Sequence, residues 1–130
     1  MRSLGDKALR VLIAENHHDL SETLARMIDE EPDMCCVGQV AAANAVLSTA
    51  EDARANVLIL DLGLQGGSGL GLLEELTARL PGLRIIMFSG YAEDALVRES
   101  LHRGATAFVA KGCDPTVLLD AVRRGTPQEH

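Results

Sequence analysis

Five short runs of branched apolar residues alternate along the chain with longer stretches in which apolar residues recur at helical spacing. The clearest run is Val57–Leu60, four consecutive apolar residues that are typical of a strand buried on both faces of a parallel sheet. Strands that alternate with helices fold as parallel strands joined by right-handed crossovers, with helices on both sheet faces. The pattern therefore predicts one α/β domain built on a doubly wound, five-stranded parallel sheet.

The strands are expected at residues 10–14, 34–40, 57–60, 84–88 and 106–110. The first helix should begin at Asp19, which is spaced from Glu22 as in a capping box. Gly104 should end the helix over residues 92–103, and Asp114 should cap the last helix. We expect the domain to span residues 1–130, with a core from about residue 9 to 124 and a short polar tail at 125–130.

Charge and composition exclude several classes of function. The net charge of −7 argues against direct binding of nucleic acid by this chain, since such binding depends on basic residues facing phosphates. No apolar stretch approaches the roughly 20 residues needed to cross a bilayer, so no membrane contact is predicted. The three cysteines, Cys35, Cys36 and Cys113, lack zinc-site spacing and should be reduced and packed, which favours a cytoplasmic location.

Polar side chains follow four of the predicted strands. The carboxyl ends of parallel strands share one edge of the sheet, where ligands of α/β proteins usually bind. Two carboxylates, an amide, a hydroxyl and an ammonium group should converge there, and this set suits a divalent cation and a phosphoryl group. The residues concerned are Glu15 and Asn16 after the first strand, Asp61 after the third, Ser89 after the fourth and Lys111 after the fifth.

Each of these residues also has an ordinary interpretation when taken alone, because turns and loops are drawn from the same residue types. The neighbouring His17 and His18 are interpreted as loop or early-helix residues and not as ligands or proton carriers. The chain lacks the GxSxG sequence of a hydrolase elbow and the GxxxxGK[ST] sequence of a phosphate-binding loop. Only the combination of strand-end residues therefore points to phosphoryl chemistry.

Four segments carry a resemblance to a known family: VLIAEN, VLILDLGLQGGSGL, IIMFSG and GATAFVAKG. Over about residues 10–124 the chain resembles the receiver domain of a two-component response regulator, most closely the LuxR/NarL subclass. The resemblance implies a flavodoxin-like fold with strand order 2-1-3-4-5. It also implies a signalling switch rather than an enzyme, with a sensor histidine kinase or phosphotransfer protein as partner and Mg²⁺ as cofactor.

The resemblance also assigns roles to single residues. Asp61 matches the phosphoacceptor, and Glu15, Asn16, Asp61 and the carbonyl of Gly63 match the metal ligands. Ser89 matches the switch hydroxyl, and Lys111 matches the lysine that contacts the phosphoryl group. Phe108 matches the aromatic switch residue that moves inward on activation.

The chain departs from the family pattern at two places. Asn16 replaces the second acid of the metal pair, so weaker Mg²⁺ binding is expected, because an amide oxygen brings no charge. Leu64 and Gln65 replace a frequent Met-Pro pair, which should alter loop stiffness. Asn16 also keeps open a pseudo-receiver that acts as a phosphorylation-independent interaction module. A flavodoxin-like cofactor binder is the weaker alternative, since the chain has few aromatic residues to hold a flavin.

Receivers of the LuxR/NarL subclass carry a C-terminal DNA-binding helix-turn-helix domain and commonly form homodimers. No such domain follows the last predicted helix of this sequence. The chain is therefore interpreted either as a stand-alone receiver or as the receiver part of a longer regulator.

Overall fold

The computed structural model describes residues 8–124. Within this range, five parallel strands form the main sheet: β1 (Leu9–Ala14), β2 (Met34–Val40), β3 (Val57–Leu60), β4 (Arg84–Ser89) and β5 (Ala107–Ala110). The α-helices that connect and follow them are α1 (His18–Asp29), α2 (Val46–Ala53), α3 (Gly69–Arg79), α4 (Asp94–His102) and α5 (Pro115–Arg124). The strand order is β2-β1-β3-β4-β5, which confirms the predicted doubly wound topology. The tail predicted at residues 125–130 lies outside the described residues.

The central strands β1, β3 and β4 are buried on both faces over most of their length, as their continuous apolar sequences predict, whereas the edge strands β2 and β5 are partly exposed. Along β1, Val11 and Ile13 pack in one core cluster with α1 and α5, whereas Leu12 and Ala14 pack in a second cluster with α2 and α3. Successive strand residues point to opposite faces of a sheet, so one apolar run supplies both cores. The two cores fix the strands, and the carboxyl ends of β1 and β3 lie side by side where the strand order reverses.

The first helix begins differently from the prediction. Asp19 is not its N-cap, because the helix begins at His18 and His17 occupies the cap position without a side-chain capping bond. The backbone N–H of His17 instead donates to Glu15 Oε2 at 3.0 Å. Asp19 lies in the first turn, where a negative charge still interacts favourably with the helix dipole. The capping-box prediction was therefore wrong, and the carboxylate of Glu15 at the end of β1 satisfies a donor at the helix entrance.

The fourth helix is held less firmly than its neighbours. Its bounds, Asp94–His102, are shorter than the predicted residues 92–103, and Ser100 is its one buried residue. Gly104 follows the helix with φ of +116°, a conformation that favours glycine and agrees with the predicted C′ position. A helix that buries so little apolar surface is easily displaced, because burial supplies most helical stability in proteins.

The last helix has anchors at both ends. Asp114 Oδ1 accepts hydrogen bonds from the backbone N–H and the hydroxyl of Thr116, both at 2.9 Å, as expected for a cap. Near the other end, Arg123 donates to Asp33 Oδ2 at 2.6 Å and forms an ion pair with Glu31. The guanidinium of Arg123 lowers the pKa of Asp33. These contacts tie α5 to the connection between α1 and β2.

All three cysteines carry free thiols, as predicted, but they are packed less completely than expected. Cys35 and Cys36 are half-buried, and Cys113 is exposed. Among residues 8–124, no helix has both the length and the apolar character needed to span a membrane.

Candidate functional site

The carboxyl edge of the sheet brings two acidic side chains together. Glu15 directly follows β1 and Asp61 directly follows β3, and their backbone N–H groups still donate into the sheet, to Val40 and Ala14. Both side chains are buried, with 2% of Glu15 and 6% of Asp61 exposed. Because the backbone at both positions is held by the sheet, the carboxylates stand on rigid elements.

Lys111 supplies the positive charge of this cluster. Its Nζ lies 3.0 Å from Glu15 Oε1 and 3.3 Å from Asp61 Oδ2. It also lies over the ring of Phe88, 5.8 Å from the centroid, within the range of a cation–π contact. The backbone N–H of Lys111 donates to the carbonyl of Ser89 at 2.8 Å, which continues the β4–β5 pairing past the last strand residue. The lysine is therefore aimed at both carboxylates from a fixed backbone position.

The two carboxyl groups have opposite pKa shifts. Burial raises the pKa of Asp61 above its ordinary value, and the negative charge of Glu15 raises it further against the opposing effect of Lys111. Burial would also raise the pKa of Glu15, but hydrogen bonds from the His17 backbone and from Lys111 outweigh it, so the net shift is downward. The surroundings therefore favour the ionised form of Glu15, whereas they disfavour the ionised form of Asp61.

The cluster has the donor set of a divalent-cation site. Glu15, His17 and Asp61 each place one ligand atom within 4.8 Å of the others. Glu15 Oε1 is buried and lies 3.0 Å from the ammonium of Lys111, which is also 3.3 Å from Asp61 Oδ2. Two carboxylates that share one lysine keep a net negative charge, which a divalent cation can neutralise. The residues present therefore fit the Mg²⁺ ion that the family implies.

Asp61 faces an open cavity of about 470 Å³. Asn16 and Gly63, the other two predicted metal ligands, line this cavity together with Asp61, and both are exposed. The remaining polar residues of the wall are His17, Ser89, Tyr91 and Lys111. The structure therefore places every predicted metal, phosphoacceptor and phosphoryl-contacting residue at this edge of the sheet, although Glu15 lines a neighbouring cavity that shares Asn16 with the first.

The two predicted switch residues lie on neighbouring strands. Ser89 ends β4 and is 1% exposed, and its hydroxyl oxygen accepts a hydrogen bond from the backbone N–H of Tyr91 at 3.0 Å. Phe108 in β5 pairs with Met87 in the sheet and is half-buried against the second core cluster. Ser89 is therefore engaged with the loop that leads to α4, and Phe108 is accessible at its outer side.

The loop after Asp61 is more ordered than the sequence indicated. Gly63–Leu64 and Gly67–Ser68 form a small antiparallel hairpin, which was not predicted. Gln65 stands where the family often has proline. Its backbone N–H donates to the carbonyl of Ala41 at 2.9 Å, a bond that proline could not make. The altered loop is thus held by a hydrogen bond in place of a fixed φ angle.

Two residues of the cavity were missed or discounted at the level of sequence. Tyr91 is 73% exposed at the cavity wall, and nothing in its local pattern distinguishes it from a loop aromatic. His17 was interpreted as a residue without a site role, yet its Nδ1 lies 3.1 Å from Glu15 Oε2. Its position two residues after Glu15, at a strand-to-helix turn, was the available signal.

Comparisons with known proteins agree with this geometry. The model of the response regulator receiver domain family matches residues 11–123. The transcriptional activator protein ExaE of Pseudomonas putida is 33% identical over 114 residues, which are 88% of this chain and 53% of ExaE. The nitrate/nitrite response regulator protein NarL of Escherichia coli K12 is 28% identical over 119 residues, 92% of this chain and 55% of NarL. A LuxR-family two-component response regulator from Aurantimonas sp. SI85-9A1 has the same fold, with a TM-score of 0.84 at 23% identity over 88% of this chain and 82% of that one.

The chain belongs to the response regulator receiver domain family, a class of signalling domains and not of classical enzymes. Within that family its relatives are regulators of the LuxR/NarL class, as the sequence predicted. The chain spans about half the length of the curated relatives that it matches.

Proposed function

We propose that Asp61 is the phosphoacceptor of this receiver and takes a phosphoryl group from a phosphohistidine of a sensor kinase or phosphotransfer protein. The observation that carries the proposal is the placement of Asp61: a buried carboxylate at the end of β3, 3.3 Å from Lys111, that faces an open cavity. A carboxylate held in this way can reach a donor that enters the cavity. The upward pKa shift of Asp61, caused first by burial and then by the charge of Glu15, indicates that its negative charge is incompletely compensated, so a cation beside it would be favoured.

The transfer forms one bond and breaks one bond. An oxygen of Asp61 attacks phosphorus, the phosphorus–nitrogen bond of the phosphohistidine breaks, and the imidazole leaves with the electron pair. Lys111 neutralises charge on the phosphoryl oxygens from its fixed position beside both carboxylates. Glu15, Asp61, Asn16 and the carbonyl of Gly63 are the residues that would hold Mg²⁺, which supplies further charge neutralisation when bound.

Phosphorylation would act on the surface formed by α4, β5 and α5. The Ser89 hydroxyl, now an acceptor for Tyr91 N–H, can instead donate to an oxygen of the new acyl phosphate. Movement of Ser89 and its loop would bias α4, which buries only Ser100, and would leave room for Phe108 to turn inward. A local change in hydrogen bonding would in this way alter a larger surface.

Intact-mass measurement after incubation with Mg²⁺ and acetyl phosphate tests the proposal. Wild type should gain one phosphoryl group, and Asp61→Ala should gain none. Circular dichroism of both proteins serves as the control for folding. The absence of an adduct from correctly folded wild type would contradict the phosphoacceptor role and would favour the phosphorylation-independent interaction module.

Asn16→Asp should strengthen Mg²⁺ binding. The substitution adds a third carboxylate, at an exposed position, beside the buried pair Glu15 and Asp61, and hard cations are held mainly by oxygen ligands and charge. We expect roughly a tenfold lower dissociation constant, which corresponds to about 1.4 kcal/mol. Isothermal titration with Mg²⁺ measures it, with exposed Asn44→Asp in the 3₁₀ turn Ala43–Ala45 as a charge-matched control. An affinity equal to that of wild type would refute a ligand role for position 16.

The location, the further domain and the oligomeric state of the regulator are proposed from the family and from the chain's relatives. We propose a cytoplasmic regulator in which this domain precedes a C-terminal DNA-binding domain, since ExaE and NarL, about twice the matched length, are a transcriptional activator and a response regulator. A homodimer through the last helices is part of the same proposal.

A further inference from the structure

The aromatic ring of Phe88 lies next to the lysine of the site. In the sheet, Phe88 of β4 pairs with Val109 of β5, and both side chains pack in the core cluster that includes α1 and α5. Lys111 follows Val109 by two residues and continues the pairing through its backbone N–H, so its side chain leaves the chain on the same face of the sheet. The register therefore brings the lysine over the ring, with Nζ 5.8 Å from the ring centroid.

The ring is a fixed neighbour, whereas the lysine is intrinsically flexible. Phe88 is 7% exposed and is packed among the buried residues of its cluster. Lys111 carries its charge on a four-carbon stem, and holding such a stem in one geometry costs side-chain entropy. The Lys111 side chain is 21% exposed, and a cation–π contact is stronger where the cation is partly desolvated. The ring can therefore restrict the position of the ammonium group.

Lys111 lies between two cavities. It lines the cavity of about 470 Å³ that Asp61 faces, and it also lines a smaller, mainly apolar cavity of about 140 Å³ between α1, β5 and α5. Phe88 and the exposed acid Asp114 line the smaller cavity and not the larger one. A lysine that turned toward Asp114 would take its charge away from Asp61. The ring of Phe88 is on the side where it can oppose that turn.

We propose that Phe88 is a positioning residue for Lys111, and that its ring holds the ammonium where it can neutralise the phosphoryl group during transfer to Asp61. Lys111 Nζ is 3.0 Å from Glu15 Oε1 and 3.3 Å from Asp61 Oδ2, so a small rotation of the stem would lose one of the two contacts. An aliphatic side chain could fill the core at position 88 but would offer no π face to the cation. The inference rests on the proposed function, because transfer to Asp61 is the reaction that Lys111 would assist.

NMR spectroscopy of selectively labelled lysine tests the contact without any phosphorylation step. The sequence has two lysines, Lys7 and Lys111, so Lys7→Arg leaves only the signals of Lys111. Protons above the face of an aromatic ring are shifted upfield by its ring current. The ε-protons of Lys111 should therefore be shifted upfield in the Lys7→Arg protein. Phe88→Tyr in that background should keep the shift, and Phe88→Leu should lose it.

The rate of adduct formation with Mg²⁺ and acetyl phosphate tests the positioning role. Phe88→Leu should slow the reaction roughly 3- to 30-fold, the range that a cation–π contact covers when it is expressed as a rate. Phe88→Tyr should react within about twofold of wild type, because it keeps the ring. Ile86→Val is the matched control: Ile86 is fully buried in β4 and belongs to the same core cluster as Phe88, so the variant loses apolar volume without loss of a ring. Its rate should equal that of wild type.

A double-mutant cycle separates positioning from a general loss of packing. In a Lys111→Ala background, Phe88→Leu should change the rate by less than about twofold, because the group that the ring positions is absent. Circular dichroism and urea unfolding establish that each variant is folded. An equal slowing with and without the lysine would overturn the proposal, as would a ring-current shift that is missing from the protein that retains Phe88.

The failure of this proposal differs from the failure of the phosphoacceptor proposal. An adduct that forms equally fast on wild type and Phe88→Leu would overturn the role of Phe88 and leave the function of Asp61 intact. Absence of an adduct from folded wild type would contradict the function of Asp61 and with it a role of Phe88 in transfer, even where the ring-current shift confirms the contact with Lys111.

Discussion

Gly69→Ala should destabilise the fold more than the addition of a methyl group at any other glycine near the site. A Cβ at position 69 would lie 2.1 Å from the backbone oxygen of Asp61 and 3.0 Å from Leu60 Cγ. Neither neighbour can move freely, because Leu60 is fully buried and Asp61 is hydrogen-bonded to β1. We expect a loss of about 3 kcal/mol or more in the free energy of unfolding, as for strongly overpacked core positions.

The same substitution should also impair phosphoryl transfer. The N–H of Gly69 donates to the carbonyl of Leu62 at 2.7 Å, and this bond closes the loop that follows Asp61, the proposed phosphoacceptor. Relief of the clash would shift the backbone of Asp61, and a shift of about 1 Å at a reacting group can cost on the order of 100-fold in rate. The adduct should therefore form much more slowly in any Gly69→Ala protein that remains folded.

Urea unfolding measures the stability change, and Gly71→Ala in the same helix provides the matched control. A Cβ at Gly71 would meet no atom within 4 Å. Alanine should stabilise that exposed helical position by roughly 0.5–1 kcal/mol, since glycine costs more conformational entropy. Equal stabilities for the Gly69→Ala and Gly71→Ala proteins would refute the close approach of Gly69 to Asp61.

The sequence was sufficient for the sheet and for the edge at which the site lies. Apolar runs such as Val57–Leu60 must be buried on both faces, and the alternation of strands with helices leaves a parallel sheet as the simple solution. The carboxyl ends of the strands then bring Glu15, Asp61 and Lys111 together, and the observed distances of 3.0 and 3.3 Å to the lysine agree. Periodicity and topology were enough here because burial dominates the choice of fold.

The details that sequence could not supply depend on particular hydrogen bonds. Asp19 has the spacing of a cap, but the side chain of Glu15 accepts the His17 N–H two residues earlier, and the helix begins there. The hairpin after Asp61 depends on the Gln65 N–H and its acceptor, Ala41, which is 24 residues away in the chain. Such competitions between local and distant partners are decided by tertiary placement, which residue spacing does not encode.

Asp61→Asn should stabilise the fold at neutral pH, in buffer that contains a chelator and no divalent cation. The pKa of Asp61 is raised above its ordinary value of 3.8, first by burial and then by the charge of Glu15, so the folded state disfavours the ionised form. At a pH above both its folded and unfolded values, the ionised carboxylate costs folding free energy that asparagine does not. We expect a gain of about 0.5–2 kcal/mol, within the range of other substitutions that relieve a functional site.

The sign of the effect fixes its pH profile. Below the unfolded-state pKa of Asp61 both states are protonated, so wild type and Asp61→Asn should differ least there. As the pH rises through the unfolded value and then the folded one, wild type loses stability relative to the variant, and above the folded value the difference is constant. Urea unfolding at several pH values measures this, with Glu75→Gln, an exposed position in α3, as a control that should show little effect. If the stability difference between the two proteins shrinks as the pH rises, the surroundings must stabilise ionised Asp61. That result would contradict the raised pKa of Asp61.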